Sequence, residues 1–201
     1  MDQTNLLVGA SVSISEPTIR HYLPELPEGW SGSVSYVDGN PKLRRVMQEH
    51  WPTAIAISAK TPVAARKAIQ GITHLVLLWD GEDLSHLLLE ARLSRIKTKL
   101  IPIQVTRVVN KKKTDEYDVY IGRGSPWGNP FAIGHGEGPD RAEVIEKYRE
   151  YFNEKIATDK SFRSGILAMK GLRLACFCKP EACHGDVIAE YLDRPPEDES
   201  R

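Results

Sequence analysis

Residues 73–103 read THLVLLWDGEDLSHLLLEARLSRIKTKLIPI, and the order of features within them decides the class of the first half of the chain. An apolar run rich in Leu and Val leads into a polar turn at Trp79, Asp80 and Gly81; the segment EDLSHLLLEARLSR reads as a helix, and a second apolar run follows. Near-continuous apolar strands separated by helices imply a parallel sheet, because the crossover helices cover both of its faces. Working outward, NLLVGAS, SVSYVD, TAIAIS and KLIPIQV read as strands, and PKLRRVMQEH and PVAARKAIQ as helices between them. The expected fold is α/β, with a Rossmann-like parallel sheet over residues 1–106. Ligands of such sheets sit at the carboxyl ends of the strands. Here those ends carry Gly9, Ala10 and Ser11, then Asp38, Gly39 and Asn40, then Ser58 and Lys60, then Trp79, Asp80 and Gly81.

Composition narrows the function classes. The 201 residues carry 27 Lys and Arg against 27 Asp and Glu, with a pI near 7.0, so the electrostatic footprint of a protein that grips extended nucleic acid is missing. The opening MDQTNLLVGASVSIS has no basic start and only a short apolar stretch, and no run is long enough to span a bilayer. A cytoplasmic protein without membrane partners is expected. The three cysteines are odd in number and clustered, which argues against a secreted disulfide framework.

Residues 5–104 resemble the SLOG superfamily of Rossmann-like domains. The resemblance rests on Gly9-Ala10-Ser11 at the first glycine turn and on the strand, Trp-Asp-Gly turn, helix and closing strand of residues 73–103. It implies a domain that binds nucleotides or their derivatives, in some members with cleavage of a nucleotide glycosidic bond. Where the family has a Gly-Thr pair after the turn, this chain has Leu84, Ser85 and His86, so no catalytic residue is carried over. The alternative use of such a domain is as a scaffold or a homo-oligomer interface.

Past QVTRVVNKKKTDEYD the grammar changes. That stretch is charged and loses apolar periodicity, so a linker is expected near 110–116, with Lys111, Lys112 and Lys113 as a solvated tip. Residues 107–193 read as a small α+β domain: YDVYIGR as a strand, helices through DRAEVIEKYREYFNEKIA and FRSGILAMK, LRLACFC as a strand, and a last helix from about Cys183 to Leu192. The acidic, proline-bearing residues 194–201 read as a disordered tail.

Two stretches of this domain carry chemistry. In IGRGSPWGNPF, Gly122, Gly124 and Gly128 let backbone amides approach an anion, Arg123 offers a fork to phosphate, Trp127 a surface for a base, and Asn129 a polar contact. Arg141 stands in the first turn of a helix announced by Pro139 and Asp140, where the helix dipole disfavours a cation, so an anionic ligand or acidic neighbour is expected beside it. His135, among glycines, reads as solvent-facing. In ACFCKPEACHGD, residues 175–186, strand alternation puts Cys176 and Cys178 on one face, and Cys183 opens a helix whose free amides favour a thiolate. Three readings stay open: a zinc site from Cys176, Cys178, Cys183 and His184; a reactive Cys183 with His184 and Asp186 as acid, base or nucleophile; or a reduced turn shaping an anion pocket.

Residues 107–193 also resemble a bacterial and phage domain family of unknown function. Its motifs appear as Gly122-Arg123, as Gly128 to Phe131, as the helix led by Arg141, and as Cys176, Cys178, Pro180, Cys183, His184, Gly185 and Asp186. The resemblance implies that the Gly-Arg loop and the cysteine turn meet in one site. The expectation is binding or processing of a nucleotide, nucleoside or nucleotide-sugar, by a hydrolase or transferase if a reaction occurs. The alternative is a zinc-stabilised, non-enzymatic module that binds a protein or short nucleic acid.

Overall fold

The computed structural model describes residues 4–23, 26, 31–134 and 138–195. They form two compact units that part between Ile103 and Gln104.

The first unit alternates strand and helix throughout: β1 (Leu6–Ala10), α1 (Glu16–Tyr22), β2 (Val34–Asp38), α2 (Pro41–His50), β3 (Ile55–Ser58), α3 (Pro62–Ala68), β4 (His74–Trp79), α4 (Ser85–Leu93) and β5 (Lys97–Pro102). All five strands are parallel, in the order β3-β2-β1-β4-β5, with Leu6 opposite both Val34 and His74. This is the Rossmann-like α/β sheet. Winding reverses between β1 and β4, so right-handed crossovers place the α1/α2 pair and the α3/α4 pair on opposite faces. Leu7, Val37, Leu75 and Leu77 point to one face, where Ala65, Ala68, Leu87, Leu88 and Ala91 cover them. The helices start where chemistry satisfies their free amides: Asn40 accepts from Lys42 and Leu43, and Thr61 from Ala64. The sequence reading passed over α1, although Ser15, Glu16 and Pro17 are start signals; Ser15 Oγ accepts from the Thr18 amide.

The second unit has β6 (Arg107–Asn110), β7 (Val119–Tyr120), α5 (Arg141–Thr158), α6 (Lys160–Leu167), β8 (Arg173–Cys176) and α7 (His184–Leu192). Its three strands are parallel in the order β6-β8-β7. The linker expected at 110–116 needs correcting. Arg107–Asn110 is the first strand of this sheet, whose short apolar pair Val108 and Val109 gave too little periodicity to read, and residues 111–118 connect it to β7. Tyr148 and Phe152 of α5, Phe162 and Ile166 of α6, Leu174 of β8 and Ile188 of α7 form the core. The Asp193 carboxylate accepts from the amide of Thr106 at 3.0 Å and from its hydroxyl at 2.8 Å, tying the first strand to the end of the last helix. No described helix is long and apolar enough to cross a membrane. His135 and residues 196–201, read as solvent-facing and as tail, lie outside the described residues.

Candidate functional site

The carboxyl ends of β6, β7 and β8 lie together because the strands are parallel, and α5 and α7 start beside them. Between these elements lies a cavity of about 290 Å³. Of the residues singled out in the sequence, Gly122, Arg123, Asn129, Arg141, Cys176, Cys178, Cys183 and His184 line it; Trp127, Gly128 and Asp186 do not. The rest of the wall is largely apolar, with Tyr120, Phe131, Ile133, Val144, Ile145 and Phe177.

The glycine loop is shaped from within. Ser125 Oγ donates to the Gly122 carbonyl at 2.8 Å, Asn129 Oδ1 accepts from the Phe131 amide at 2.8 Å, and Tyr120 OH donates to the Arg123 carbonyl at 3.3 Å. A Cβ at Gly128 would stand 2.7 Å from the Gly122 carbonyl oxygen, so backbone proximity demands glycine there. Arg123 is exposed, and among the described residues its Nη2 reaches only the Phe131 carbonyl, at 3.5 Å. Trp127 is a correction. Its indole packs on Phe162 with centroids 5.4 Å apart and fills the space above Gly165, where a Cβ would come within 2.2 Å of it. The large apolar ring was drawn into the core; the rings on the cavity are Tyr120, Phe131 and Phe177.

The cysteine turn leaves β8 at Cys176, passes a cis Lys179–Pro180 bond and returns at Cys183, the N-cap of α7. Asn110 Nδ2 donates to the Phe177 carbonyl at 3.3 Å and to the Lys179 carbonyl, while the Lys111 amide donates to the Cys176 carbonyl at 2.8 Å. Asp186 closes the other side: one oxygen accepts from the Cys183 amide at 2.9 Å and the other pairs with Lys179 Nζ at 2.5 Å. That engagement makes Asp186 a positioning residue for the turn.

Strand alternation does not reach Cys178, because β8 ends at Cys176, yet the turn brings the sulfurs of Cys176, Cys178 and Cys183 within 4.8 Å of one another. Cys176 and Cys183 are 3.3 Å apart, and the Cys178 amide donates to Cys176 Sγ at 3.4 Å. His184 stands outside this cluster. Its Nε2 donates to the Ile121 carbonyl at 2.8 Å, which sets the tautomer, and its ring meets Tyr148 edge-on at 5.1 Å. Adjacent side chains at the start of a helix diverge, so the histidine does not complete the expected ligand set.

Charge within the cluster also differs from expectation. The Cys183 thiol hydrogen-bonds to Cys176, and together with the Cys178 and Lys179 amides it holds the Cys176 thiol down to about 5 against the cost of burial. Cys183 is pushed up, first by that same bond and then by burial. Burial and the neighbouring Cys176 charge raise Cys178, with the Arg141 guanidinium opposing. The hydrogen bond between the two thus favours charge on Cys176 over charge on Cys183. Arg141 also donates to the Ala182 carbonyl at 3.2 Å, so the cation at the start of α5 meets the cysteine turn rather than an acidic side chain.

Residues 104–194 match the family described as Domain of unknown function (DUF4326). Over 91 residues the chain is also 40% identical to a protein of Enterobacteria phage T4, "Uncharacterized 12.4 kDa protein in nrdA-td intergenic region", covering 45% of this chain and 81% of that relative. The chain belongs to this family. Its DUF4326 span coincides with the second unit, and the Thr106–Asp193 clasp lies just inside both ends of the match. Within this unit the sequence reading missed Asn110, assigned to a linker, and the cavity rings Tyr120 and Phe177. Phe177 follows the last residue of β8, so a period-two reading of ACFC misplaces it, and Tyr120 ends a strand only two residues long.

Proposed function

We propose that the DUF4326 unit binds and processes a nucleotide-related small molecule in the cavity at the carboxyl ends of β6, β7 and β8. One observation carries the reading: two guanidiniums, Arg123 and Arg141, border a cavity with apolar, aromatic walls, and among the described residues neither is paired with a carboxylate. A guanidinium spared an acidic partner can present its fork to phosphate. Tyr120 and Phe177, edge to face at 5.9 Å, offer a surface to a base, and a volume near 290 Å³ suits a ligand of nucleoside size. The Cys176 thiolate and the proton on Cys183 supply a nucleophile or base beside an acid, as glycosidic or acyl-type transfer would need. The SLOG-like features of residues 5–104 support the same ligand class for the first unit.

The experiment is a thermal-shift panel of nucleotides, nucleosides and nucleotide-sugars on the full chain, followed by calorimetry of the best ligand. Arg123→Lys keeps the charge but loses the fork, so affinity should fall about tenfold, roughly 1–2 kcal/mol, with folding unchanged. Failure of the whole panel to bind the wild type would sink the proposal.

A further inference from the structure

The three sulfurs are grouped more tightly than a reactive-thiol pair requires. They come from the end of β8, the turn that follows it and the N-cap of α7, and all three face the same cavity. Tetrahedral zinc with Zn–S bonds of about 2.3 Å sets sulfurs roughly 3.8 Å apart. The observed cluster, with one pair at 3.3 Å and all three within 4.8 Å, brackets that spacing. The surroundings are those of a thiolate metal site. The Cys178 amide points at Cys176 Sγ, as outer hydrogen bonds do around metal-bound sulfur, and Asn110 and Asp186 pin the two limbs of the turn. Three thiolates around a divalent ion leave one net negative charge, and the Arg141 guanidinium lies against Cys178 to offset it.

His184 cannot close the shell while its Nε2 is bonded to the Ile121 carbonyl and its ring is packed on Tyr148. We infer that Cys176, Cys178 and Cys183 bind a zinc ion as a three-thiolate site whose fourth position opens onto the cavity. Structural zinc sites are closed by four protein ligands, whereas sites that act on a ligand keep a position for water or substrate. The arrangement is therefore of the acting kind: an ion placed to polarise a carbonyl or phosphoryl oxygen held by Arg123 and Arg141, or to lower the pKa of a bound water. The inference rests on the cavity and ligand of the proposed function; with the ion bound, an electrophile takes the place of the Cys176–Cys183 acid–base pair, which belongs to the metal-free protein. It is tested without any organic ligand, so either reading can fail alone.

The 201-residue chain, prepared reduced and without chelator, should carry stoichiometric zinc by elemental analysis. Exchange for cobalt should produce the charge-transfer and visible bands of a tetrahedral thiolate site, and added imidazole should shift the visible bands by entering the open position. Cys176→Ser and Cys183→Ser remove buried groups and can unfold the unit, so the decisive variant is Cys178→Ser, half-buried on the wall, which should weaken cobalt binding by about tenfold or more. His184→Gln should keep the metal. A reduced wild type that neither carries zinc nor retains zinc or cobalt after addition and desalting would overturn the site, as would a native Cys176–Cys183 disulfide. Cobalt bands indifferent to imidazole, or metal loss in folded His184→Gln, would overturn the open position.

Discussion

At the carboxyl ends of β1 to β5 lies a cavity of about 400 Å³ bordered by Lys60, Asp83, Ser85 and His86, whereas the ends of β6, β7 and β8 enclose about 290 Å³ among arginines, aromatic rings and thiols. The two sheets obey one topological rule and treat their polar groups differently. In the first unit those groups serve the scaffold. Asp38 pairs with Arg44 at 2.6 Å, Asn40 donates to the Ser11 carbonyl at 2.8 Å, and Asp83 Oδ2 accepts from the Val12 amide at 2.9 Å. Only Asp83 Oδ1 is left, among the described residues, as a buried side-chain oxygen without a partner. At the second cavity the guanidiniums of Arg123 and Arg141 rest on main-chain carbonyls, and Cys176 and Cys183 on one another. A parallel sheet supplies the place for a ligand; whether side chains there are already spent decides what the place can do.

The largest expected effect tests whether the two units unfold independently. Phe152 is fully buried among Tyr148, Phe162 and Tyr191, so Phe152→Ala should cost about 3–5 kcal/mol. Chemical denaturation followed by hydrogen exchange should show that loss in residues 104–194 and none in β1 to β5; equal loss in both would break the comparison. A smaller cost, about 1–3 kcal/mol, is expected for Gly185→Ala, because a Cβ there would sit 2.8 Å from both Ile121 and Val108 and 3.3 Å from Cys183 Sγ. Differential scanning calorimetry reads it, and a midpoint equal to wild type would show that the start of α7 yields.

A third effect depends on pH in metal-free protein. Cys176 is lowered to about 5 by its Cys183 hydrogen bond, against an ordinary thiol value near 8.5. A group lowered on folding stabilises above its unfolded pKa, and that contribution fades as pH falls from about 8.5 through about 5. Wild-type stability of residues 104–194 should therefore decline over this window, and a flat profile across it would show that the thiolate is not formed. The smallest effect belongs to the first cavity. Arg44→Ala removes an exposed ion pair with Asp38 and should leave the unfolding midpoint unchanged. A clear loss would mean that the polar rim of the first unit is as finely balanced as the second.

Most of the first unit was legible because long apolar strands and capped helices announce themselves locally; Pro41 and Pro62 stand at helix starts as their fixed φ allows. β6 and β7 were harder. Strands of four and two residues give alternation almost nothing to repeat over. The same limit applies to the site: the motif residues are visible in the sequence, but whether Trp127 meets a ligand or the core is not, because only packing decides which ring enters a core.

By itself the sequence determined the parallel α/β class of the first half and the helix start at Asp140, matters of local propensity and period, while the meeting of glycine loop and cysteine turn was implied by the family resemblance. The tertiary structure alone decided that Asn110 of β6 holds the cysteine turn, that His184 faces Ile121 instead of the sulfurs, and that Cys176 and Cys183 meet at 3.3 Å. Each depends on groups 7 to 67 positions apart in sequence meeting in space, and a hydrogen bond or a charge at that range has no local signature to read.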